Sequence, residues 1–458
     1  MSSRSSGAHA DAGCYVASAM PSSRMPALLV AEPTGKVLEH PRLLATVRSG
    51  DEVLLPREPP APLPEGGRLV QLPGRRPVGV DPDTGELVLV SGFQIGRRRF
   101  VPDAVGALVP PGWTRTYLPG EVKADGPVLP QWAYTAAGWD PRGPVAWALH
   151  TDRRMHWDPE RFSTPELKAR VRGARAADPD NRVLRQLQTC ALVYRCFTSQ
   201  NVFYGRDEGA LPVSTMCNAT CVGCISEQPD DGPPASHERM DDGPSADELA
   251  RVAVAHLRSA GPRAMVSFGQ GCEGEPLTRW RVIAEAIRRI RSETRSGSLH
   301  INTNASLTSG LGALYDAGLD SIRVSLNSAV TDLYEAYYRP EKYGWGDVEA
   351  SIALSRERGA YLALNLLTFP GVTDREGEVE ALLGLIRRYR VDQLQTRSLC
   401  IDPLQYLEVS RDRGAGGRPM GISSMLRVLR EEAPWLRVGN FARGLAERGR
   451  PAGATAER

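Results

Sequence analysis

Two textures of hydrophobic and polar positions divide the chain. From about residue 37 to 122, short apolar runs alternate with proline and glycine. The segment RRPVGVDPDTGELVLV reads as a hairpin, with 78–80 and 87–90 flanking a turn at Asp83, Thr84 and Gly85. A tryptophan-rich stretch follows. Trp132, Trp139, Trp147 and Trp157 are expected to fill a small β-rich core, since large aromatic rings dominate burial; a platform for substrate is the other use of such rings. A helix over 182–194 leads onward.

Beyond residue 224 the pattern becomes alternating strand and helix. Ser245 and Glu248 form a capping box that opens a helix with Leu249, Val252, Ala253, His256 and Leu257 on one buried face. Strand-like runs are expected at 265–268, 299–303, 322–326, 361–367 and 392–396. Helices at 280–291, 311–317, 347–358 and 375–390 separate them. Gly318 and Gly359 end two of these as left-handed caps, and Thr373 with Glu376 gives a second capping box. With one more strand just before Cys217, six βα units result. Their strands, covered on both faces, form a parallel sheet that is open or curled toward a barrel.

The implied organisation is a disordered tail (1–36), a β-rich accessory domain (37–180), a helical linker (181–210), an α/β partial barrel (211–410), a C-terminal helical segment (411–442) and a second tail (443–458). A length of 458 residues agrees with more than one core. The net charge of +2 gives no global argument for nucleic acid or an anionic membrane. No apolar run approaches the roughly 18 residues of a membrane span. The apolar run 27–31 is short for a secretory segment, and Cys14 lacks the apolar run that precedes a lipidated cysteine. A cytoplasmic setting is the expectation.

In such barrels, chemistry gathers after the C-terminal ends of the strands. There the sequence places Cys217, Cys221 and Cys224; Gly269 to Pro276; Asn302 to Asn304; Ser325 to Ser328; Pro370 to Asp374; and Arg397, Cys400 and Asp402. Eight cysteines are too sparse for a disulfide framework, and three within eight residues point to metal. Soft thiolates select zinc, cuprous copper or iron–sulfur. Four-iron clusters normally take four cysteines, so three leave one iron open, as catalysis requires. A zinc site completed by a distant side chain such as Cys196 or His237 also satisfies the spacing.

C-x3-C-x2-C after a strand, followed by Gly274, Glu275 and Pro276 after the next, resembles the radical SAM superfamily. The resemblance covers roughly residues 211–407 and implies a partial (β/α)6 barrel. It also implies a 4Fe-4S cluster on Cys217, Cys221 and Cys224, with S-adenosylmethionine on the free iron. One electron from the cluster would cleave the sulfonium, and the resulting 5′-deoxyadenosyl radical would take a hydrogen atom from a substrate. Gly274, Glu275 and Pro276 match the element that receives the methionyl amino group. Ser325 and Asn327 match positions that contact ribose or the methionyl carboxylate, and Asn304 holds a similar place. Arg339, among Tyr334, Tyr337, Tyr338 and Trp345, is a further candidate for the methionyl carboxylate or an acidic substrate.

One departure stands out. The family usually has an aromatic residue before the third cysteine, where this chain has Gly223. Cys190, Cys196, Cys272 and Cys400 are available for an auxiliary cluster or a redox thiol, although free cysteines are usually small buried hydrophobes. The acidic loop from Glu227 to Asp242 is either a lid or a solvated linker.

The implied partners are an unidentified peptide, protein or small-molecule substrate and an external one-electron reductant such as flavodoxin or ferredoxin. An RNA substrate is the weaker alternative, since RNA binding rests on basic surface. A non-enzymatic zinc or iron–sulfur binding module is the other.

Overall fold

Ala27–Ala31 is a five-residue apolar strand, buried from its second residue onward, at the centre of a ten-stranded sheet in the N-terminal region. It pairs antiparallel with Val37–Ala45 on one side and Asp103–Leu108 on the other. The sequence expectation had put these residues in a tail. A run too short for an export signal is the right length for a central strand. The computed structural model describes residues 25–230 and 232–447; the earlier part of the expected tail, Cys14 included, lies outside them.

The hairpin forms as expected, with Arg75–Val80 paired to Leu87–Leu89 and Gly85 at φ 75° in the turn. The tryptophans divide. Trp147 is fully enclosed and donates its indole N–H to the Glu58 carbonyl at 2.9 Å. Trp157 is buried instead at the junction with the C-terminal region, stacked on Phe441 with ring centroids 4.6 Å apart. Trp132 and Trp139 are exposed, so only Trp147 fills the β-rich core as expected.

Helices Leu167–Ala177, Arg182–Leu192 and Phe197–Tyr204 lead to the first of seven parallel strands. These are Glu208–Leu211, Met265–Phe268, Ser298–Thr303, Ser321–Leu326, Tyr361–Thr368, Gln393–Ser398 and Arg437–Gly439, in sequential sheet order. Helices connect them, and the capping box at Ser245 and Glu248 is formed. The one expected at Thr373 is not. Helix Glu376–Arg388 starts from Arg375 without a side-chain cap, because the Thr373 hydroxyl accepts the Phe369 N–H at 2.9 Å instead.

The seventh strand corrects the count of six units. Residues 411–442 carry helix Ile422–Glu432 and then Arg437–Gly439, which pairs with the sixth strand. Three residues leave no periodic signal to read. The second tail is also anchored at its start, where Arg443 is buried and bonds both Asp152 carboxylate oxygens, at 2.8 and 3.0 Å.

On these strands the outer positions are apolar, as in Ile322, Val324 and Leu326, each wholly buried under the helices. The inner positions are polar: Ser321, Arg323 and Ser325 on the fourth strand, and Gln393, Gln395 and Arg397 on the sixth. The sheet is therefore not packed on both faces by side chains of its own. The accessory domain closes its open side. Thr114 bonds Thr396 through their hydroxyls at 2.7 Å, and the Arg115 N–H donates to Ser398 at 3.1 Å. The Arg115 guanidinium donates to the Leu399 carbonyl at 2.9 Å.

A second tie is an ion pair between Arg75, in the hairpin, and Asp402, after the sixth strand, both almost completely buried. Asp402 also accepts the Leu129 N–H at 2.9 Å. Removing one partner of such a pair strands the other charge in a dry interface. Asp402→Ala is expected to cost about 3–5 kcal/mol in unfolding free energy, read by urea denaturation. A change under about 1 kcal/mol would match an exposed pair instead.

Candidate active site

A cavity of about 410 Å³ opens at the C-terminal ends of the strands. Cys217, Cys221 and Cys224 line it together with Gly274, Glu275, Pro276, Asn304 and Ser325. Val109, Pro110, Pro111 and Trp113 of the accessory domain form part of its wall.

The cysteine loop is fixed on two sides. On one, the loop after the second strand is laced to it: Gly274 N–H donates to the Ser214 carbonyl at 3.2 Å and Glu275 N–H to the Met216 carbonyl at 2.9 Å. The Glu273 carboxylate accepts the N–H groups of Val213 and Ser214 at 2.5 and 2.6 Å. On the other side, Val222 N–H donates to the Tyr337 carbonyl at 3.0 Å, and Glu341 N–H to the Asn218 carbonyl at 2.8 Å. Gly274 is needed because a Cβ there would lie 1.9 Å from the Met216 carbonyl oxygen.

Glu275 is buried. Its carboxylate accepts Leu277 N–H at 2.9 Å and Asn304 N–H at 2.7 Å, and the Thr303 hydroxyl. Burial pushes its pKa up to about 7 against the pull of those donors. Asn304 is also held through its amide, which donates to Asn218 at 2.9 Å. Burial drives the Cys217 thiol up to about 11 and that of Cys221 well above its ordinary value. Such thiols deprotonate when they bind metal. Among the described residues, no three His, Cys, Asp or Glu side chains are close enough to share one metal ion.

Two candidates fall outside the cavity lining. Asn327 is buried behind it and donates its amide to the Leu333 carbonyl at 3.1 Å and to the Tyr406 hydroxyl at 3.2 Å, so it organises the loop into helix Thr331–Tyr338. Arg339 is exposed, at φ 47°. Its backbone carbonyl accepts Thr220 N–H at 3.4 Å, so its contribution is to hold the cysteine loop.

Gly223 now has a physical reason. A Cβ there would lie 2.7 Å from the Tyr337 hydroxyl and 3.3 Å from the Cys400 carbonyl. The aromatic ring beside the third cysteine comes from helix Thr331–Tyr338 instead, and both Tyr337 and Tyr338 line the cavity. Of the acidic loop, Arg239 lines the cavity, paired with Glu227 at 2.6 Å and 3.8 Å from the Cys224 sulfur. Cys400 lines the cavity, whereas Cys190 and Cys272 lie against each other through their thiols.

Residues 211–383 match the sequence model of the Radical SAM superfamily. This segment belongs to that superfamily. Members of the radical SAM family are enzymes that use a 4Fe-4S cluster and S-adenosylmethionine. No curated protein matches the chain. Among solved structures, Streptococcus suis SuiB bound to its precursor peptide SuiA is 16% identical with a TM-score of 0.32, covering 43% of this chain. The chain spans only 42% of SuiB's length. A radical SAM methyltransferase from Sphaerobacter thermophilus is 18% identical with a TM-score of 0.37, covering 54% of this chain and 70% of that one. Methylornithine synthase, PylB, is 15% identical with a TM-score of 0.36, covering 59% of this chain and 77% of that one. That segment holds Cys217, Cys221, Cys224, Gly274, Glu275, Pro276, Asn304 and Ser325 of the cavity lining, whereas Arg397 and Cys400 lie beyond it.

Sequence reasoning missed Arg323 and Asn365, and it placed Glu273, Arg397 and Tyr337 near the mouth without their roles. The signal for Arg323 and Arg397 was present. Parallel strands covered on both faces should be continuously apolar, and the alternation in SIRVSL and QLQTRS marks a polar inner face around a hollow.

Glu273 gives a pH prediction. One of its oxygens is buried without a partner, and burial lifts its pKa from 4.5 to about 8. The folded state thus holds more protons than the unfolded chain between about pH 4.5 and 8, and stability falls as pH rises through that window. The melting temperature of cluster-free protein should decline across it, and Glu273→Gln should flatten that decline. An unchanged slope in the variant would remove Glu273 as the cause.

Proposed function

We propose that Cys217, Cys221 and Cys224 hold a 4Fe-4S cluster and that the adjoining cavity binds S-adenosylmethionine, making the chain a radical SAM enzyme that acts by hydrogen-atom abstraction. The observation that carries this reading is that the three thiols and Glu275 line one cavity, with two separate loops laced together to hold them there. The bound group supplies reductive cleavage of the cofactor's carbon–sulfur bond, and the protein supplies position and exclusion of water.

Glu275, held by three donors, presents a carboxylate to the methionyl ammonium. Gly274 and Pro276 set the turn that aims it. Asn304 and Ser325 offer polar groups to the carboxylate or ribose, and Tyr337 offers a ring face for adenine. Asn327 and Arg339 act behind this surface, through the loops they fix. The accessory domain's wall at Val109–Trp113 makes it the element that meets a peptide, protein or small-molecule substrate. An external one-electron donor such as flavodoxin or ferredoxin and a reducing cytoplasmic setting belong to the same reading. Among the described residues no helix is long and apolar enough to cross a membrane.

The test is anaerobic reconstitution with iron and sulfide, reduction by dithionite, and assay of 5′-deoxyadenosine. Release of the nucleoside is the expected result. A chain that loads metal fully yet leaves S-adenosylmethionine intact would be a binding module instead.

A further inference from the structure

The inner face of the fourth to sixth strands carries two guanidinium groups that the reading above does not use. Arg323, on the fourth strand, and Arg397, on the sixth, both line the cavity, with Asn365 of the fifth strand between them. Arg323 donates to Gln395 at 2.8 Å. Arg397 makes no side-chain hydrogen bond or ion pair among the described residues. Burial lowers the pKa of each, that of Arg323 to about 10 with a further push from Arg397, and both stay charged at neutral pH. The carboxylates whose fields reach them are engaged elsewhere: Glu208 accepts the Ser267 hydroxyl at 2.6 Å, and Asp152 is taken by Arg443.

The other charged groups of the cavity are accounted for. Arg239 is paired with Glu227, Glu275 is bonded to its own loops, and Glu273 holds the Val213 and Ser214 amides. Two like charges in an enclosed space, without a counter-charge in contact, are costly unless a ligand supplies one. The amide oxygen of Asn365 is buried there without a partner as well, an acceptor open to a donor group of the ligand. Arg323 stands two residues before Ser325 on the same face, roughly 6–7 Å deeper in the barrel. Its guanidinium reaches outward from there to Gln395, which shares a register with Ser325 and Asn365, and Arg397 stands two residues further toward the mouth.

We propose that Arg323 and Arg397, with Asn365 between them, bind an anionic group of the substrate, a carboxylate or phosphate presented to paired guanidinium forks. The inference rests on the cofactor occupying the cysteine side of the same cavity. The substrate is thereby a molecule with a fixed negative charge that enters against the accessory-domain wall.

The experiment uses the full chain, with and without reconstituted cluster, and two probes, succinate and inorganic phosphate, at constant ionic strength against chloride. At least one probe is expected to raise the melting temperature in a saturable way. Arg397→Gln and Arg323→Gln should each weaken that response about tenfold or more, as loss of a charge-assisted contact does, and Arg397→Lys should retain part of it. The dissociation constant for S-adenosylmethionine on the loaded protein should stay within about twofold in all variants. A saturable response absent from the wild type, or kept in both glutamine variants, overturns the proposal. So does tenfold weaker cofactor binding in Arg397→Gln, which would assign the arginines to the methionyl carboxylate. Because the cluster-free arm needs no cofactor cleavage, failure of the radical reading is distinguishable from failure of the anion site.

Discussion

Cys221→Ala is expected to abolish cluster loading: iron and sulfide content after reconstitution fall to background, the charge-transfer absorbance disappears, and no 5′-deoxyadenosine forms. Cys221 sits between the other two ligands in one short loop, and no fourth thiol belongs to that loop. Cys400 lines the same cavity, but it follows the sixth strand, where the Arg115 and Arg397 guanidiniums face it. With two thiolates left of its three, the cluster would keep only half of the four protein ligands such clusters usually take. The rest of the fold should survive, because the loop is braced mainly by backbone hydrogen bonds on either side. Circular dichroism and melting temperature should therefore match the wild type. Cys14→Ala, by contrast, should leave loading unchanged. Full iron content in the Cys221 variant would mean that the ligand set has been misassigned.

Gly274→Ala should do comparable damage by a different route. The added methyl would sit 1.9 Å from the Met216 carbonyl oxygen and 2.4 Å from its carbon. These atoms are backbone, so no side-chain rotation relieves the overlap. The strand-like lacing of Gly274 and Glu275 to residues 214–216 must open, and Cys217 is the next residue along. Overpacking of this kind costs about 1–3 kcal/mol or more. The larger effect is on geometry: a displacement on the order of 1 Å in a reactive assembly is worth about 100-fold in rate. Nucleoside release should fall on that scale while partial iron loading persists. Equal turnover in the variant would show that the two loops do not have to be in register.

Much of the barrel was legible because its signals are local. Strands at 265–268 and 322–326, the cap at Ser245, the glycine ends at Gly318 and Gly359, and the cysteine spacing are each written within a dozen residues. What sequence reading missed depends on distance. Ala27–Ala31 is a strand only because residues near 38 and 104 pair with it. Arg437–Gly439 is too short to carry a period. Asn327 follows the fourth strand as Asn304 follows the third, and Arg339 caps the next helix; only packing against Tyr406 and the cysteine loop shows how each is used. Gly223 looked like a missing ring, yet the ring is supplied from more than a hundred residues away.

The wall of the cavity has an implication for how the molecule comes into being. Thr114 and Arg115 clasp the sixth strand near Thr396 and Ser398, and Asp152 grips Arg443. During synthesis the N-terminal half emerges first and must wait for the last two strands before the pocket has a complete perimeter. A version trimmed of its first 160 residues would leave those strands with bare hydroxyls and an unroofed interior. The accessory region is thus a staple in the enzyme's architecture, and exchanging it for another module would require recutting the rim it clasps.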